Sequence, residues 1–230
     1  MQLLGDNEQP TKALDARFRA LCQAWNIHQQ ISQEWWQRLV SLYTATDRHY
    51  HSLVHLHAMF DWIQPHFHRL TRPDLVTAAI FFHDAVYDAK APKAQNEIRS
   101  ADLWRHFADS ASPSFPTPTS SVRVDDVEAV ASWIERTARH LDGPAEGDLA
   151  FFLDADLSIL ASQPTRYEKY VEEIRQEYAH VPFADFQRGR RDVLLYFLSH
   201  DKIYYTEEAQ GAMSCQARSN IQSELENYRL

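Results

Sequence analysis

Apolar residues recur at intervals of three and four along nearly the whole of this sequence, and that spacing admits helices and little else. Leu14, Phe18, Leu21 and Cys22 form one such stripe within 13–25, and Trp35, Trp36, Leu39, Leu42 and Tyr43 another within 32–44. The same periodicity predicts helices over 51–66, 73–83, 96–107, 124–140, 148–161, 164–180, 184–200 and 214–228, with Pro73 at a favoured first-turn position. No alternating run supports a sheet, and no internal repeat is visible. Only 5 glycines interrupt the 230 residues. The stretch 110–121 carries Pro113, Pro116 and Pro118 among serines and threonines, which predicts a surface loop. The expectation is an all-α protein forming one domain over residues 1–230.

Charge and cysteine content narrow the setting. A net charge of -9 gives the chain no general attraction to nucleic acid or anionic lipid. Cys22 and Cys215 are too few and too far apart for a disulfide framework and fit a reducing, cytoplasmic environment. Residues 1–11 are too polar for a signal peptide, and no apolar run approaches the roughly 20 residues that span a bilayer.

Three places combine ionisable side chains with apolar faces. His83-Asp84 ends the apolar run Ala78-Ala79-Ile80-Phe81-Phe82, and the stripe Val76, Ala79, Ile80 points His83 inward. Burying such groups is costly unless they are paired or bind a metal. His51 and His55 are four apart, one turn on the same helical face, and Met59 and Ile63 continue that row. In the third place Leu149, Phe152, Leu153, Asp156, Leu157 and Leu160 form a helical stripe that contains Asp156. Asp154, ~200° round the helix from it, is expected on the solvent side. Each place also has an ordinary structural reading: a packed core histidine, a capping aspartate, or a buried bridge from Asp156 to Arg48, Arg190 or Arg218. Together, His55, His83, Asp84 and Asp156 supply two imidazoles and two carboxylates, a donor set suited to a divalent ion with open positions for water and substrate.

In this order of His, His-Asp and distant Asp, the chain resembles the HD-domain superfamily of metal-dependent phosphohydrolases, whose fold is helical. Tyr50-His51-Ser52-Leu53-Val54-His55 and Ala155-Asp156-Leu157-Ser158 look like stretches of the superfamily's cyclic-nucleotide phosphodiesterases. That likeness implies His51 as proton donor, His55 as ligand and Asp156 as last ligand. Ser52 stands where those enzymes usually have asparagine, so their specificity does not carry over. The chain is most similar to bacterial predicted HD phosphohydrolases of about this length. The matching segments include Phe82-His83-Asp84 through Tyr87-Asp88, Asn96-Glu97 with Ser100-Ala101, Thr137 with His140, 153–160, Ile174-Arg175 with Glu177-Tyr178, Gly189-Arg190, and Ala217-Arg218 with Asn220.

The resemblance implies a phosphohydrolase acting on a nucleotide or similar small phosphate ester, with Mn, Mg, Co, Ni, Zn or Fe as cofactor. Asp84 is expected to ligate the ion and accept the proton of the attacking water, and His51 to protonate the leaving oxygen. Asp88 and Glu97 are candidates for a second ion or for orienting water, against their reading as a turn residue and a first-turn carboxylate. His140 is a further ligand or substrate contact, or else a histidine at a helix C-terminus. Arg175, Arg190 and Arg218 are candidates for a phosphate clamp, against surface or ion-pair roles. Two alternatives stand beside the enzyme: a metal- and nucleotide-binding module without turnover, and a di-iron oxygenase, which needs Asp88, Glu97 and His140 as additional ligands.

Overall fold

The computed structural model describes residues 8–111 and 123–228, which are all-α: every regular element among them is a helix or a 3-10 turn. The Pro/Ser loop expected at 110–121 lies, from residue 112 onward, outside the described residues. The helices are α1 (Glu8–Ala24), α2 (Gln29–Tyr43), α3 (Leu53–Ile63), α4 (Pro73–Phe82), α5 (Gln95–Ser110), α6 (Val124–Arg136), α7 (Gly147–Asp156), α8 (Pro164–Glu177), α9 (Phe183–Ser199) and α10 (Glu207–Glu226). Two compact units are formed, one by residues up to Phe60 with Arg72–Arg139, the other by Asp61–Thr71 with the chain from His140 onward.

The first unit is organised around α4. Every residue from Leu75 to Phe82 is buried, so this helix is apolar all round and packs against α1, α5 and α6. Phe81 meets Phe18 edge-on at 5.2 Å, and Phe82 meets Trp104 at 5.4 Å and Phe107 at 5.2 Å. At its N-terminal end, Arg72 pairs with Asp74 at 2.8 Å and Asp126 at 3.0 Å, and Trp25 Nε1 donates to Asp74 at 2.9 Å. At its C-terminal end, the Tyr43 hydroxyl donates to the Phe81 carbonyl at 3.1 Å. A helix buried on every side delivers its C-terminal residues into the interior, and α4 hands the chain directly to His83-Asp84.

The second unit holds α7 to α10. The 3-10 turn Leu157–Ala161 continues α7 and packs against α8 and α10. Asn220 of α10 donates from Nδ2 to the carbonyls of Leu160 and Ser162, satisfying the end of that turn. The periodicity predicted α10 from residue 214, but it begins seven residues earlier. Thr206 caps it, its side chain accepting from the Ala209 N–H at 3.1 Å, and Gly211 obscured this first turn in the sequence. Among the described residues no helix is long and apolar enough to cross a membrane.

Candidate metal centre

His83 caps the C-terminus of α4 and is 1% exposed. Its Nδ1 lies 2.9 Å from the Ile80 carbonyl, a bond that requires a proton on Nδ1; in the neutral ring Nε2 is then the electron-pair donor. His55 sits in the first turn of α3, 3% exposed, with its ring packed 4.8 Å from that of Tyr50. The two Nε2 atoms are 3.2 Å apart. Asp84, just past the helix end, brings Oδ2 to 3.0 Å from His83 Nε2 and 3.7 Å from His55 Nε2.

With both rings neutral and their protons on Nδ1, two Nε2 lone pairs and a carboxylate oxygen face one another. The spacing fits one cation, because nitrogens each about 2.1 Å from a single ion are about 3.0–3.4 Å apart at coordination angles near 90–110°. The imidazole and carboxylate donors suit a divalent first-row transition metal such as Mn.

His51 lies beside this group, but not on a helix. α3 begins at Leu53, and a tight turn in which the Ser52 N–H bonds the Tyr50 carbonyl at 2.7 Å precedes it. The shared helical face expected for His51 and His55 is thus replaced by a turn. The His51 ring stacks on Tyr87 at 4.1 Å and lies 6.2 Å from the His55 ring. Asp88 is exposed and ties its own turn, Oδ1 accepting the Lys90 N–H at 2.8 Å. Glu97 is half-buried in the first turn of α5. Segment 86–88 is stapled to α5 by the Val86 N–H on Ser100 Oγ at 3.0 Å and by Asn96 on both backbone groups of Asp88.

In the second unit, Asp156 ends α7 and its Oδ2 lies 2.7 Å from His140 Nε2. The Tyr205 hydroxyl donates to the His140 carbonyl at 2.5 Å. Asp154 corrects the sequence reading. It is 0% exposed, where the solvent side was expected. An apolar stripe locates the solvent side only when one face of the helix is wet, and α7 is buried from Ala150 to Ala155 without a gap. Asp154 accepts from the Tyr205 N–H (2.7 Å), the Thr206 N–H (2.8 Å) and Thr206 Oγ1 (2.7 Å). Burial pushes its carboxyl up to about 6 against the pull of those bonds.

The three arginines expected to clamp phosphate are engaged by the protein itself. Arg190 is buried against Glu224, at 2.8 and 3.0 Å, and against the Tyr170 hydroxyl at 3.1 Å. Arg175 donates to the carbonyls of Tyr178 and Val181, closing the end of α8. Arg218 donates to those of His200 and Asp201. The sequence could not reveal these partners, because a carbonyl carries no residue signature and Glu224 is 34 positions from Arg190.

No model of a known protein family, no curated protein and no solved structure matches this chain.

Proposed function

We propose that this protein is a metal-dependent phosphohydrolase of the HD-domain type, cleaving a phosphate ester of a nucleotide or similar small molecule. The observation that carries the reading is the convergence of His83 Nε2, His55 Nε2 and Asp84 Oδ2 within 3.0–3.7 Å, with the His83 tautomer set by the Ile80 carbonyl. In this reading His55, His83 and Asp84 hold a divalent cation, and the sequence pattern adds Asp156 as the fourth ligand. A divalent ion held there would supply a water with its pKa lowered to about 7 and a positive charge for a phosphoryl oxygen. Asp84 accepts the proton of the attacking water on its carboxylate. His51, stacked on Tyr87, carries the proton for the departing ester oxygen on its ring. Two free cysteines, Cys22 buried and Cys215 exposed, accord with a reducing compartment.

The test is release of phosphate or nucleoside from a nucleotide panel in the presence of Mn, Co, Ni or Mg, with bound metal measured in parallel. Activity in the wild type that is lost in His83→Ala is expected. Metal binding without turnover across the panel would instead make the protein a binding module, and two bound irons would move it toward oxygenase chemistry.

A further inference from the structure

Arg48 is 9% exposed, and its buried charge is met by backbone oxygens and aromatic faces. Nη1 donates to the carbonyls of His51 at 3.0 Å and Asp84 at 2.7 Å, and Nη2 donates to that of Ala85 at 2.8 Å. The guanidinium carbon lies 4.9 Å from the Tyr43 ring centre and 5.6 Å from that of Tyr87. We propose that Arg48 is a positioning residue of the candidate centre, locking the turn that carries His51 to the turn that carries Asp84. The proposal rests on the metal-site reading above.

Both turns lie outside helices, where the regular backbone ladder is absent. Each makes a short-range bond, from the Ser52 N–H to Tyr50 and from the Ala85 N–H to Phe82, at 2.7 and 3.1 Å. Those bonds shape each turn but do not join the two. Arg48 Nη1 joins them directly, since the His51 and Asp84 carbonyls both lie within hydrogen-bond range of it. Tyr87, under the same guanidinium, is the ring on which His51 stacks. One planar fork thus sets where the Asp84 carboxylate leaves the backbone and where the His51 ring rests. A lysine cannot do all of this: its single nitrogen cannot also span to the Ala85 carbonyl held by Nη2, and it offers no planar face to Tyr43 and Tyr87. Pre-setting the donors in this way lowers the ordering cost that a cation would otherwise meet on binding.

Two readouts test the proposal on the full chain with Arg48→Lys and Arg48→Ala. In metal-free protein, hydrogen exchange is expected to rise at least tenfold in segments 50–55 and 84–88 of both variants, with α5 and α8 unchanged. Mn affinity, measured by calorimetry, is expected to fall at least tenfold, and millimolar methylguanidinium is expected to restore it in Arg48→Ala but not in Arg48→Lys. Wild-type exchange in both segments of the variants, or Mn affinity within twofold of wild type, overturns the proposal. If the wild type itself binds no Mn, the metal-site reading fails, and the exchange data alone decide the clamp. Should neither variant fold, the nitrogen-15 signals of the wild-type Arg48 guanidinium decide: slow rotation is expected, and free rotation refutes the lock.

Discussion

Glu224 and Asp154 of the second unit and the half-buried Asp84 of the first are surrounded in opposite ways. In the second unit Glu224 accepts from Arg190, from the Tyr167 hydroxyl at 2.6 Å and from the Tyr228 hydroxyl at 3.1 Å. Asp154 likewise accepts two backbone N–H groups and a hydroxyl. In the first unit Asp84 points its Oδ2 at the Nε2 atoms of two histidines, one of which has its proton on the far nitrogen. A carboxylate met by the chain's own donors is part of the scaffold. A carboxylate that converges with imidazole nitrogens can hold a cation. Both environments are expensive to build.

That contrast can be broken by mutation, and the largest effect is expected at Glu224. Glu224→Ala strands the Arg190 charge in a buried site and should cost about 3–5 kcal/mol in urea unfolding. A loss below about 1 kcal/mol, the range of exposed ion pairs, would show that the Arg190 network is not scaffold. At the candidate centre the sign of the effect depends on metal. Mn at about 100 times its Kd should stabilise the wild type by about 2.7 kcal/mol, and His83→Ala should lose this gain. An equal thermal shift in the variant would remove His83 from the ligand set.

Smaller effects sharpen the comparison. Asp154→Asn places an amide NH2 among three donors and should cost about 1–3 kcal/mol, with no change in Mn affinity expected from the scaffold role. At the foot of α4, burial works to raise Asp74 and Asp126, but their bonds to Arg72, Trp25 and the Arg123 backbone prevail and lower both. Carboxylates with depressed folded values contribute stability above their usual 3.8, and that stability is lost as the pH falls through the folded values. Comparing wild type with Arg72→Met, the difference should be about 1 kcal/mol near neutral pH and vanish in strong acid. The smallest effect is one of reactivity and leaves stability untouched. Burial pushes the Cys22 thiol up to about 11, whereas Cys215 is exposed. Iodoacetamide at mildly alkaline pH should therefore label Cys215 in the native protein and Cys22 only after unfolding, as read by peptide mass.

Much of the helical framework was legible because burial imposes the 3.6-residue period directly on the sequence. His83 is buried as expected, although α4 is covered all round and its stripe points nowhere in particular, and Pro73 marked the start of α4. A helical face locates a residue only where the opposite side is wet. α7 is covered all round, so Asp154 is buried despite its position opposite the stripe. His51 was assigned to a helix that starts two residues later, because a spacing of four cannot distinguish a helical turn from the tight turn that precedes one.

The sequence by itself determined the class of fold, much of the helical framework, and the pairing of histidine with aspartate at the end of an apolar run. These rest on periodicity and composition, which are local properties. Only the tertiary structure decided which polar groups face donors and which face acceptors. It brought His55 to His83 across 28 positions, gave Arg190 to Glu224, and set Arg48 on carbonyls that no residue name announces. The physical reason is that a hydrogen bond or a metal site depends on the direction of lone pairs in space, and the linear sequence records only which side chains are available to supply them.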